Sequence, residues 1–274
     1  MNEERIGDLT ALHAVPQGAA RAYPLVLLHG LWAGAWIFED WLGPAAARGW
    51  DVWAPNLRGR AGSRPVDDLG SVGLAELVAD LGDVLSEVGP AVVVGYSMGG
   101  LLTQMAAADP RMSHLVRAAA LLCSVPPRGI VALSGPVLRA SSAYLGPMLR
   151  NRTFLPSRAD ADAMMMNELP LDTRDRSFPR FIADSGRAAR QMATGTARVD
   201  RNDVTCPVLV VSCEHDRISP PAIQPALVKR YGAAHLPLAG HAHLVAMEPG
   251  WEAVESAILD RLAPFGPVPA VVAD

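Results

Sequence analysis

The residues Gly95, Tyr96, Ser97, Met98 and Gly99 follow directly on the apolar run Ala91, Val92, Val93, Val94 and open a helical pattern that continues to Asp109. An unbroken apolar run of this kind suits a parallel strand buried on both faces. A serine on a sharp turn from such a strand into a helix brings neighbouring elements so close that side chains two residues either way would collide. Glycine at 95 and 99 removes them. The helix start behind Ser97 offers a free N–H and the positive end of its dipole to an anion. Strand, turn and helix in this order predict an α/β sheet with Ser97 as a nucleophile. The competing reading, a tight glycine turn with an idle serine, accounts for the glycines but not for their context.

The rest of the chain repeats the alternation. Leu25 to Leu28 is a β-type run ending at His29 and Gly30, and Trp50 to Leu57 is a second, shorter one. From Leu74 to Val88 apolar residues recur at three- and four-residue steps, with Glu76, Asp80, Asp83 and Glu87 on the opposite face, which predicts an amphipathic helix. Val116 to Cys123 and Val208 to Ser212 read as further strands, and Ile223 to Tyr231 and Trp251 to Leu262 as helices. The expected fold class is α/β, with a mostly parallel sheet and helices on both faces. Between Ser124 and Asp203 no strand is evident, prolines recur, and helix-like pieces such as Asp160 to Leu169 lie between them. Apolar residues including Leu145, Met148, Leu155 and Met166 argue against a disordered linker. The segment is therefore expected to be a helical cap, or lid, inserted at 124–203 into a core of 1–123 and 204–274. Residues after Pro264 are expected to form a flexible tail.

Composition narrows the function. Half of the 274 residues are apolar, enough for one full-sized core. The net charge is −4 and no block of like charge occurs, which argues against a nucleic acid or an anionic membrane as partner. Lys229 is the only lysine, so a P-loop phosphate clamp and a Schiff base on an earlier strand are excluded. Apolar runs such as Val116 to Val125 fall well short of the roughly 20 residues that span a bilayer, and no secretory signal is visible. Cys123, Cys206 and Cys213 lie in or beside apolar runs and read as reduced thiols of a cytoplasmic protein.

On these residues the chain resembles the α/β-hydrolase superfamily, serine-nucleophile esterase type, over essentially its whole length. Leu28 to Trp36 is similar to the plant methylesterase and hydroxynitrile lyase branch. The resemblance implies an oxyanion hole made by the backbone N–H groups of Leu31 and Met98. Pro55 to Ser63 is similar to the family's next loop, where an aspartate and a Gly-His-Gly are usual, and Asn56, Arg60 and Ala61 depart from it. Val210 to Pro220 resembles the loop whose aspartate lies four residues before a proline, which makes Asp216 the triad acid, with Glu214 its nearest competitor.

Two rules conflict over the base. The family histidine often follows a glycine, which favours His241, and usually precedes a glutamate by five positions, which favours His243. The second ties the histidine to the rigid final helix, so His243 is preferred. His-x-His can also be half of a metal site, but no nearby cluster completes it. No metal and no cofactor are expected. The remaining histidines, His13, His114, His215 and His235, read as structural or solvated.

The order Ser97, Asp216, His243 is that of this fold, and the expected reaction is ester cleavage through an acyl-enzyme. Serine at 97 disfavours the dehalogenases and epoxide hydrolases of the superfamily, which need a carboxylate. Leu244 stands where hydroxynitrile lyases carry a lysine. A biosynthetic cyclase, a lactonase or acyl transferase, and a slow-turnover receptor on the same triad stay open. The substrate is expected to be a small, moderately apolar molecule against Trp32, Phe154, Met164 and Phe181. The cap arginines Arg174, Arg176, Arg180, Arg187 and Arg190 are expected to be solvated or paired with Asp172, Asp175 and Asp184, unless one meets an acidic substrate group.

Overall fold

A computed structural model describes residues 1–130 and 143–268. Eight strands form one sheet: β1 (Asn2–Ile6), β2 (Leu9–Ala14), β3 (Leu25–Leu28), β4 (Val52–Pro55), β5 (Ala91–Tyr96), β6 (Val116–Leu122), β7 (Val208–Cys213) and β8 (Ala234–Leu238). Their order is β1-β2-β4-β3-β5-β6-β7-β8. β1 and β2 are antiparallel additions at one edge, and every pair from β4 to β8 is parallel. β5, which carries the apolar run before Ser97, lies at the centre. Consecutive strand residues serve opposite faces: Val92 and Val94 join one core and Val93 the other, as do Leu25 and Leu27 against Val26 and Leu28.

Helices α1 (Glu39–Ala47), α2 (Leu74–Val88) and α3 (Met98–Ala108) follow the early strands. α2 buries Leu74, Leu77, Val78, Leu81, Val84 and Leu85, the stripe its periodicity predicts. Between β6 and β7 the described residues give no strand to the sheet; they hold α4 (Arg158–Met164), α5 (Leu171–Ser177) and α6 (Gly186–Ala193), and residues 143–149 are also helical. One isolated antiparallel bridge, Phe154 with Asp184, staples this segment to itself. α7 (Gln224–Tyr231) and α8 (Trp251–Leu262) complete the chain, and α8 packs Val254, Ile258 and Leu262 on the face that also buries Trp41 and Trp50.

The expected tail is shorter than the sequence suggests. Ala263–Phe265 is a turn of 3-10 helix, Arg21 Nη1 donates to the Gly266 carbonyl at 2.9 Å, and the Ala22 N–H to that of Pro267 at 2.8 Å. These bonds fix the chain past Pro264, and the part of the tail at 269–274 lies outside the described residues. Among the described residues no helix is long and apolar enough to cross a membrane.

Candidate active site

The turn after β5 has the conformation that its spacing implies. Ser97 sits at φ 55°, ψ −117°, a left-handed backbone that a non-glycine residue adopts only under constraint. A Cβ on Gly95 would lie 2.4 Å from the Gly99 carbonyl oxygen, and one on Gly99 would lie 2.4 Å from that of Leu28. Both contacts are far inside van der Waals distance, so any side chain there would push α3 off the sheet. The Ser97 N–H donates to the Leu122 carbonyl at 2.9 Å, which holds the turn to β6.

Three side chains from three strand ends meet here. Ser97 Oγ is 3.0 Å from His243 Nε2, and His243 Nδ1 is 2.9 and 3.0 Å from the two oxygens of Asp216. Asp216 Oδ1 also accepts the N–H groups of Ile218 and Ser219 at 2.9 and 2.8 Å, so the turn after β7 aims the carboxylate. All three residues are buried, which removes competing water from the hydrogen bonds. Glu214 lies elsewhere, accepting the Gly240 N–H at 2.9 Å. His241 turns away to Glu248, with Nδ1 3.1 Å from Oε2; the same oxygen accepts the Ala242 N–H at 2.9 Å. Glu248 thereby braces the two residues before His243. Cys123 Sγ lies within 4.8 Å of ligand atoms on Asp216 and His243, in a trio that could hold a metal ion. The acid and imidazole donors of that trio are already engaged with one another. Cys123 and Cys213 bring their sulfurs to 3.3 Å, and burial and their mutual contact push the Cys123 thiol pKa up.

The loop after β3 faces the serine. An added Cβ on Gly30 would stand 2.9 Å from Ser97 Cβ. Neither the Leu31 nor the Met98 N–H has a hydrogen-bond partner among the described residues. His29, fully buried, is 2.8 Å from the Gly30 carbonyl through Nδ1 and accepts the Leu57 N–H at 3.2 Å through Nε2. These contacts require a neutral ring with its proton on Nδ1. Burial, with the nearby Arg60 charge, pushes its pKa down to about 3. Because the carbonyl and N–H of a trans peptide point in opposite directions, His29 fixes the Leu31 N–H by holding the Gly30 oxygen.

Trp32 continues the loop at φ 64°. Its N–H donates to Asp184 Oδ2 at 2.8 Å, its carbonyl accepts the Ile182 N–H at 2.9 Å, and its indole donates to the Phe154 carbonyl at 3.1 Å. Asp184 also receives Arg60 Nη2 at 2.5 Å, and both of these side chains are buried. Arg60, one of the departures from the family loop, thus anchors the 143–203 segment. Asn56, another, accepts the Ala35 N–H and donates to Thr10 Oγ1.

A cavity of about 460 Å³ is lined by Leu31, Trp32 and Val125, from the loops after β3 and β6, and by Phe154, Met164 and Met165 of the segment between β6 and β7. Val125 donates its N–H to the Ser97 carbonyl. Met148, Met192 and Tyr144 also line it, and sequence periodicity gave no signal for them. Phe181 is a correction: it is buried away from this cavity, packed edge-on against Trp36 at 5.0 Å. Met166 likewise packs into the core while its two predecessors face the cavity. The arginines between β6 and β7 are mostly committed, Arg176 to Asp172, Arg180 to Glu39 and Arg187 to Glu76.

The model of the alpha/beta hydrolase family matches residues 25–256. No curated protein sequence matches the chain. Among solved structures, a monoacylglycerol lipase of Paleococcus ferrophilus is 17% identical, covers 95% of this chain and 100% of its own, and superposes with a TM-score of 0.73. The methylesterase MES16 of Arabidopsis is 16% identical, with 88% and 99% covered and a TM-score of 0.69. A thermophilic esterase of Thermogutta terrifontis is 19% identical, with 94% and 95% covered and a TM-score of 0.67. At such identities the likeness is one of fold.

Proposed function

Because the chain belongs to the alpha/beta hydrolase family, we propose that it is a serine hydrolase that cleaves an ester-type bond of a small, apolar molecule through an acyl-enzyme. The observation that carries this reading is the relay of Ser97, His243 and Asp216, with links of 3.0 and 2.9 Å. His243 Nε2 takes the Ser97 proton as Oγ attacks the carbonyl carbon, and Asp216 stabilises the imidazolium that forms. The Leu31 and Met98 N–H groups receive the oxyanion. Collapse of the tetrahedral adduct expels the alcohol, which takes the proton from His243. Water then repeats the sequence and releases the acid. The segment at 124–203 acts as the cap, and the methionines of the cavity give its wall an adaptable apolar lining. The esterase, lipase and methylesterase chemistry named for the structural neighbours uses these same parts. Reduced, buried Cys123 and Cys213 suit a cytoplasmic location.

The test is a panel of p-nitrophenyl esters against the protein and its Ser97→Ala variant, together with fluorophosphonate labelling. The expected result is ester turnover and labelling by the first and neither by the second. Undiminished hydrolysis by Ser97→Ala overturns the assignment.

A further inference from the structure

The apolar cavity has a polar neighbour. A second cleft of about 350 Å³ is lined by Arg128, Arg198, Arg201 and Arg230, with Asp200 its one carboxylate among the described residues, and Arg128 lines both spaces. In a chain of net charge −4, four guanidinium groups around one cleft reverse the local sign. Other arginines around the cap are spoken for, Arg60 by Asp184 and Arg187 by Glu76 among them. Arg128, Arg198 and Arg201 have no side-chain hydrogen bond or ion pair with any described residue. Arg230 gives Nη2 to the Val199 carbonyl, and its buried Nε has no acceptor. Asp200 is occupied in part by the Asn202 N–H at 2.9 Å. Within the apolar cavity the charged lining groups are Arg128 and Asp160, and Asp160 is bound to Tyr144 Oη and Ser157 Oγ. Among the described residues Arg128 is thus the one uncommitted charge of that lining, and it lines both spaces.

Four like charges gathered around a single carboxylate repel one another, and the arrangement is relieved by an anion of more than one charge. The guanidinium fork matches phosphate oxygens in pairs, and a single carboxylate would leave most of these donors unused. We propose that the arginine cleft receives the phosphate-bearing end of a substrate whose acyl end fills the apolar cavity. The substrate class is then an acyl thioester or ester of a phosphorylated thiol or alcohol. This deepens the reading of Ser97 as nucleophile and rests on it. With a thioester, the Ser97 Oγ–carbon bond forms as the carbon–sulfur bond breaks. The thiol leaves with the proton held by His243, and water then releases the acid and restores Ser97.

The experiment compares two thioesters with one acyl group, butyryl-coenzyme A, which carries phosphates, and S-butyryl-N-acetylcysteamine, which does not. The readout is the ratio of their kcat/KM values in the full chain and in the double variant Arg198→Glu/Arg201→Glu, checked for folding by circular dichroism. Arg198→Ala/Arg201→Ala replaces it if the charge reversal prevents folding. The expected result is a preference of at least about tenfold for the phosphorylated substrate in the unmodified protein. That preference should shrink as salt rises and be lost in the variant through KM. A ratio near one in the unmodified protein, or a ratio the variant leaves unchanged, overturns the proposal while the ester reading stands. If neither thioester is turned over, calorimetric titration with inorganic pyrophosphate decides the matter. Binding that the variant abolishes supports the cleft, and no millimolar binding to the unmodified protein overturns it.

Discussion

Asp184 accepts the backbone N–H of Trp32 across 152 positions of sequence, so a residue of the inserted segment holds the loop that abuts the serine. The same carboxylate neutralises buried Arg60. Asp184→Ala leaves that guanidinium buried without its counter-charge, a loss on the order of 3–5 kcal/mol. It also frees a strained Trp32, at φ 64°, to relax. Asp184→Asn keeps an acceptor and removes the charge. The expected outcome is a large fall in Tm for the alanine variant. For asparagine, kcat should fall more than KM changes, because Leu31, next to Trp32, is the proposed oxyanion donor. Melting curves and steady-state kinetics on a p-nitrophenyl ester check both.

His29 is predicted to act through the Gly30–Leu31 peptide. Removing its ring in His29→Ala should lower kcat by about 10–100-fold, the scale of a misaligned oxyanion donor, while fluorophosphonate still labels Ser97. The same residue sets a pH limit. Its pKa is about 3 in the folded chain against 6.5 when unfolded, so the unfolded state binds the extra proton. Its contribution to stability is complete above pH 6.5 and declines as pH falls toward 3, by up to about 1.4 kcal/mol per unit. Denaturant titrations at several pH values measure this slope, which His29→Ala should flatten.

Glu255 works in the opposite direction. It is buried on α8, one of its oxygens has no partner, and burial pushes its pKa up to about 7 from 4.5. Between these values the folded chain binds the extra proton. Stability is therefore lost as pH rises from 4.5 through 7. Glu255→Gln should raise stability at pH 8, by up to about 3 kcal/mol, and have little effect at pH 4.5. Paired melts at the two pH values test it.

The two histidines of the His-x-His pair should separate cleanly. His243→Ala should lower kcat by about 10⁶-fold. His241→Ala loosens the Glu248 brace and should cost less than about tenfold in kcat, with a drop in Tm. Parallel kinetics on the two variants decide between them.

The strands and helices around Ser97 were legible because burial on both faces writes itself as runs such as Ala91 to Val94, and burial on one face as the stripe of α2. The β1 strand is not legible in the sequence because Glu3, Glu4 and Arg5 give an edge strand the look of a solvated terminus, charges of the kind that discourage edge-to-edge pairing. The separation of Phe181 from Phe154 was not written in the chain either, since both are apolar and only tertiary packing turns one toward Trp36 and the other toward the cavity. The same holds for Arg60 and Asp184. Nothing in either residue's neighbourhood names a partner 124 positions away.

Ser97 and His243 stand 146 residues apart, with the whole inserted segment strung between them. During synthesis the hydroxyl emerges long before the imidazole, and a chain halted anywhere in that interval carries an attacking group with no base to arm it. On the proposed mechanism ester turnover is a late event in the life of each molecule, and a simple colour assay would report whether the segment that carries His243 has docked.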